Sequence, residues 1–301
     1  MQSDEPSMRQ SKIRLRIFNN FLVRLALLAI VTFLLMIALQ VGTHVLAAAV
    51  PVSWKLSVFV ALELLACVLM IVAYRVGVRL LEQRAAAEIA FAGKAWLFLP
   101  GAFLGLAIFV VVFAILWAAG IAQYEGPGQI GSVIRGCAAA LAAAVGEEIV
   151  FRGAVFRPID ERFGTTAALV FSAALFGLLH MANPGATVLS TTAIALESGV
   201  LLGAAFAKAR SLWLPIGIHF GWNFTEGSIF GTAVSGGKSA GLFNFSLNGP
   251  DFFTGGAFGP EASAIAVGAC LAASAIFIWS AIRHGRWRPF QLRSIKTQSI
   301  Q

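Results

Sequence analysis

Repeated apolar runs long enough to cross a bilayer dominate the chain and exclude most other folds. A helix needs about 20 mostly apolar residues to traverse ~30 Å of hydrocarbon. By that measure eight spans are expected, near 21–46, 56–74, 96–122, 134–156, 164–183, 187–207, 211–231 and 263–282. Lipid offers no partner to exposed backbone N–H and C=O groups, so runs of this kind must be helical. The expected fold class is therefore all-α, a polytopic membrane helix bundle with about eight transmembrane helices. Only 12% of the 301 residues are charged, against about a quarter in a soluble domain. A water-soluble fold would have to hide too much apolar surface.

The net charge of +8 sits at the ends of apolar runs, so it reads as membrane orientation and not as a nucleic-acid face. Arg9, Lys12, Arg14 and Arg16 precede the first span, and Arg75, Arg79, Arg84 and Lys94 follow the second. Arg157 and Arg162 follow the fourth, Lys208 and Arg210 the sixth, and Arg283, Arg286, Arg288, Arg293 and Lys296 the last. The alternate connections hold little beyond Lys55, Arg135 and Lys238. Eight crossings with both termini in the cytoplasm satisfy this pattern, and a bacterial inner membrane suits the basic loops and the uncleaved first span. The three cysteines, Cys67, Cys137 and Cys270, lie in apolar runs and make neither a disulfide framework nor a zinc spacing. The chain then divides into a cytoplasmic amino tail 1–20, accessory helices 21–130 and a core 131–232. An outer Gly-rich loop 233–262 follows, then the last helix with its basic tail, 263–301. Trp54, Trp96 and Trp213 fall near span ends as interfacial anchors.

Ionisable groups inside a span cost roughly 2.5–3.5 kcal/mol each for Asp, Lys or Arg on insertion scales, so a cluster of them signals function. Glu63, Glu147, Glu148, Glu197, Glu226, His180 and His219 all fall in expected spans. In Gly146-Glu147-Glu148-Ile149-Val150-Phe151-Arg152, Glu148 and Arg152 share a helix face and can pair. Glu147, about 100° away around the helix, stays free. Phe176 and His180 share a face of the fifth span, as His219 and Asn223 do on the seventh. A lone histidine on an apolar face is more often packing than chemistry. Three spans bearing a free carboxylate, two imidazoles and a carboxamide point to activated water and a stabilised oxyanion. No serine or cysteine stands in a comparable motif, so direct attack by water is favoured over an acyl-enzyme.

The order EExxxR, FxxxH, HxxxN, each on its own span, resembles the CAAX protease and bacteriocin-processing family (CPBP, or Abi) of intramembrane endopeptidases. That family includes the Ras-converting CAAX endopeptidase. Glu147, Glu148 and Arg152, then Phe176 and His180, then His219 and Asn223 carry the resemblance. It implies that Glu147 and His180 activate the attacking water and that His219 and Asn223 stabilise the oxyanion. Glu148 and Arg152, with Phe176, would support the site. It also implies a membrane-anchored or lipidated peptide or protein substrate, approached from a cytoplasm-facing cavity. Metal-independent water activation is the expectation, although Glu147, His180 and His219 are also a candidate three-ligand site for a divalent metal such as Zn.

One count opposes this convergence. At 1.5 Å per residue, Glu147 lies roughly 15 Å from the cytoplasmic end of its span and His219 about 12 Å, whereas His180 lies about 24 Å deep. The groups meet only if the fifth helix starts outside the bilayer and stops at mid-depth, near Asn183-Pro184-Gly185. Midplane Glu and His also build proton paths, so a proton-coupled transporter and a non-catalytic scaffold are the rival readings. The transporter reading lacks an inverted repeat. Glu63, Glu197 and Glu226 are left without a role.

Overall fold

The computed structural model describes residues 20–290. The basic residues Arg9, Lys12, Arg14, Arg16, Arg293 and Lys296 lie outside the described residues. Two long helices, α1 (Phe21–Ala49) and α2 (Lys55–Glu82), pack side by side, followed by α3 (Phe98–Ala118) and a short strand β1 (Ala122–Pro127). Next, α4 (Ile130–Glu148) widens into a π-helical stretch, Ile149–Phe156, and continues as α5 (Arg157–Phe163). After α6 (Thr165–His180), a turn leads to α7 (Val188–Ile194), a second π stretch (Ala195–Gly199) and α8 (Val200–Ala209). The third π stretch, Phe224–Ile229, extends α9 (Trp213–Asn223), and β2 (Phe243–Leu247), the short α10 (Asp251–Thr254) and α11 (Ala264–Arg283) complete the chain. The fold is all-α in character, with one small antiparallel pair, β1–β2, where the sequence suggests only loop.

Five segments are long and apolar enough to cross a membrane: Phe21–Ala49, Val52–Glu82, Ala95–Ala118, Val188–Ala209 and Ala264–Arg283. The remaining three expected spans do not meet that length and composition. α6 is apolar but short, and α4 and α9 carry the polar residues of interest and pass into π turns. Large apolar side chains point outward along the bundle, as Phe103 (70% exposed) and Ile276 (64% exposed) do, which suits contact with lipid and not with water.

The helices bearing the polar residues are held by close approach. Gly101 and Gly105 of α3 face Gly217 and Gly221 of α9 in two interlocking small-xxx-small patterns. A Cβ on Gly105 would lie 2.1 Å from the Ile218 carbonyl oxygen, and one on Gly221 2.0 Å from that of Ala102. At one end of the bundle Arg84, Arg157, Glu82, Glu88 and Tyr74 form an ionic network, and Asp160 joins Arg210, Arg288 and Thr165 in another. This is the arginine-rich end. The opposite end carries the β1–β2 pair and residues 231–263. Trp54 and Trp96 are exposed, as interfacial anchors would be. Trp213 is not an anchor: it is buried and donates its indole N–H to the Ala90 carbonyl, because its helix begins inside the protein.

Candidate active site

Glu148 and Arg152 are fully buried and form an i,i+4 pair at 2.7 Å across the start of the π stretch. A π turn widens the helix and occurs preferentially at functional sites. Arg152 also donates to the carbonyls of Ser198 (3.0 Å) and Gly199 (3.2 Å), which lie at the end of the second π stretch, where the ladder changes register. Its guanidinium lies over the Phe176 ring, 4.8 Å from the centroid. Arg152 thereby joins α4, α6 and the π stretch before α8. Its role as a hub was legible from the Glu148 spacing; its backbone acceptors were not, because nothing in Glu197-Ser198-Gly199 announces a change of helical register.

Glu148 Oε1 accepts a second hydrogen bond, from His219 Nδ1 at 3.2 Å. Since the carboxylate oxygen only accepts, Nδ1 carries the proton. The other ring nitrogen, Nε2, faces Glu147 Oε2 at 3.9 Å. The side chain of Glu147 is 18% exposed while that of Glu148 is 0%, so the neighbouring carboxylates have different surroundings. Glu147 Oε2 is itself buried and accepts no hydrogen bond from the described residues. An unpaired buried oxygen is costly, and such an orphan is a place to look for chemistry.

α6 ends at His180, and the chain turns through 181–187 before α7. Thr165, at the start of α6, is buried against Asp160 of α5, so the depth of both helices can be counted from one level. By that count Phe176 lies near the level of Glu148, and His180 is about one turn, ~6 Å, farther from the arginine-rich end. The mismatch expected from the sequence arises from ending α4 at 156; the helix runs on through α5 to Phe163. His180 lies tilted against Phe176, with centroids 4.5 Å apart, and the same ring meets His219 edge-on at 6.4 Å. His180 Nδ1 donates to the Phe176 carbonyl at 2.7 Å, which in the neutral ring leaves Nε2 as an acceptor. Asn223, one turn beyond His219, lines a cavity with Ala143, which is one turn before Glu147.

Glu147, Glu148, Arg152, Phe176 and His219 are thus gathered around one point, with His180 and Asn223 a turn away on the loop side. Glu197 and Glu226 take their hydrogen bonds from other residues. Glu197 accepts from Ser198 and from the Cys270 thiol, and Glu226 accepts from the Trp222 indole at 3.0 Å. Both are buried; Glu197 reaches α11 through Cys270, and Glu226, besides the Trp222 bond within its own helix, accepts from the Glu261 backbone N–H at 3.3 Å. Glu63 is also buried.

Among the described residues no three His, Cys, Asp or Glu side chains converge closely enough to hold an ion.

Residues 129–225 match the Rce1-like family, described as type II CAAX prenyl endopeptidase Rce1-like. The Rce1-like segment contains all seven residues that carry the sequence motifs, and the match bears out the resemblance to the CPBP family. It covers under half of the chain, leaving α1–α3, β1, β2, α10 and α11 outside it. A protease family together with several long apolar helices supports an integral membrane enzyme of the CAAX endopeptidase kind. No curated protein and no solved structure matches the chain.

Proposed function

We propose that the protein is an intramembrane endopeptidase that hydrolyses a peptide bond of a membrane-anchored or prenylated substrate with water activated by Glu147. The observation that carries this reading is the unpartnered Glu147 Oε2, buried, 3.9 Å from His219 Nε2 and one helical turn from Ala143 of the cavity lining. A carboxylate so held is a general base with one acceptor lobe free. Glu147 takes a proton from water as the oxygen attacks the carbonyl carbon, and the carbonyl oxygen becomes the oxyanion. His180 Nε2, an acceptor, orients the same water. Asn223 Nδ2 and His219 Nε2 donate to the oxyanion. For Nε2 to donate while Nδ1 donates to Glu148, His219 must be an imidazolium, and Glu147 and Glu148 on either side favour that charge. Glu147 then returns its proton to the leaving amine nitrogen as the C–N bond breaks. Arg152 balances Glu148 and fixes the two helices.

The test uses the purified full chain in nanodiscs with farnesylated and membrane-tethered peptides. Glu147→Gln should reduce kcat by about 10²–10⁴-fold, the usual weight of a general base. His219→Ala should lose about 10²–10³-fold, as removal of an oxyanion donor does. Turnover retained by Glu147→Gln would remove that residue from the chemistry. Ion flux without cleavage in the wild type would replace the endopeptidase with a carrier.

A further inference from the structure

A cavity of about 560 Å³ lies between α1, α2, α4 and the π-helical extension of α9, bordered by residues 234–240. That volume is within the roughly 300–1,000 Å³ of sites that take small molecules or short side-chain runs. Its inner end is formed by Asn223 and Ala143, each one turn from a residue of the proposed chemistry. Its outer end carries His44, Arg135 and Lys238. The Arg135 guanidinium is held over the Phe59 ring, 4.1 Å from the centroid, so its charge is fixed at the mouth and not free to swing away. The lining holds no acidic side chain among the described residues. Glu63 is buried on α2 outside the lining, so Arg135 and Lys238 make the mouth positive.

The cavity's place in the bundle favours an opening opposite to the cytoplasm-facing one expected from the sequence. Asn223, Lys238 and the start of α4 all lie toward the end that carries β1–β2. The opposite end holds Arg84, Arg157, Arg210 and Arg288, and the positive-inside rule assigns that end to the cytoplasm. We infer that this cavity is the substrate channel, that it opens on the non-cytoplasmic side, and that Arg135 and Lys238 draw in a peptide through an anionic group near the scissile bond. The substrate class rests on the endopeptidase reading; the side of opening and the charge preference do not.

Two thiol reagents that do not cross membranes test it, the anionic sulfonatoethyl and the cationic trimethylammonioethyl methanethiosulfonates. The full chain, expressed in a bacterial inner membrane with Cys137→Ser, carries Ala143→Cys as the reporter. Cys67 and Cys270 are buried and stay in place. In right-side-out spheroplasts the reporter should react, and the anionic reagent should be favoured about tenfold over the cationic one after normalising to a free thiol. Arg135→Gln with Lys238→Gln should bring that ratio close to one. Arg79→Cys, exposed at the arginine-rich end, should react only in inverted vesicles. Reaction of Ala143→Cys only in inverted vesicles would overturn the direction of opening, and a ratio unmoved by loss of both cations would overturn their role. Ser239→Cys, at the rim, gives the same readouts if Ala143→Cys does not fold. Labelling needs no turnover, so a channel without cleavage would sink the endopeptidase alone, and cleavage with labelling from the arginine-rich side would sink the channel alone.

Discussion

At the scale of residues, one guanidinium supports one of two adjacent carboxylates that the proposed mechanism treats differently. Arg152 and Glu148 have no solvent exposure, and Glu148 Oε1 is shared between Arg152 and His219. Removing one member of a buried pair strands the other charge, at a cost of about 3–5 kcal/mol. Arg152→Met should therefore lower thermal stability strongly. The double variant Arg152→Met, Glu148→Gln should recover much of it, because no bare charge remains. Activity should stay low in the double variant, since His219 then lacks the carboxylate that keeps Nδ1 protonated. Recovery of stability and activity together would make the pair a clasp and nothing more. Paired thermal melts and turnover measurements on the three proteins separate these outcomes. The sequence showed this pair and the free Glu147 through the helical period alone. It did not show that Phe176 lies under Arg152 and beside both histidines, because that contact is between helices distant in the chain.

Elements position these residues through glycine and through changes of helical register. His219 and Asn223 ride on α9, whose backbone touches that of α3 at Gly217 and Gly221. In Gly221→Ala the new methyl would meet the Ala102 carbonyl at 2.0 Å, so the helices must part. Overpacking of this kind costs about 1–3 kcal/mol. Because the shift moves His219 relative to Glu148, kcat should fall as well. Gly268→Ala in α11 is the control: nothing lies within 4 Å of the added carbon, so its melting temperature should hold or rise slightly. A Gly221→Ala variant as stable and active as Gly268→Ala would show that α3 and α9 are free to separate. The four glycines stand at i,i+4 spacing in the sequence and were readable there. The π stretches at Ile149, Ala195 and Phe224 were not, since a single extra residue per turn leaves no compositional mark. The break after His180 was readable, because Asn183-Pro184-Gly185 cannot continue a helix.

Across the whole molecule the two ends are held by different forces. Long-range antiparallel pairing of β1 with β2 and small-residue turns close the loop end, whereas buried ion pairs lock the arginine-rich end. The alternation of lysine and arginine along the sequence anticipated that asymmetry; which carboxylates answer the arginines depends on the packing of α2, α5 and the 82–95 connection. Glu88, in that connection, shows what the lock implies for pH. Burial alone would raise its carboxyl, but the hydrogen bonds from Arg84 and Tyr74 and the charge of Arg157 outweigh burial and hold it below the ordinary 4.5. The unfolded chain therefore takes up this proton at a higher pH than the folded protein does. The stabilisation is complete above about pH 4.5 and is lost as pH falls from there toward the depressed folded value. Thermal melts of the wild type and Glu88→Gln in nanodiscs at pH 7 and pH 4 read it directly. The wild type should be the more stable at pH 7, and the gap should narrow at pH 4, while Arg84 and Arg157 keep their charge throughout. A gap that stayed constant or widened on acidification would mean that Glu88 does not contribute to the lock as a carboxylate.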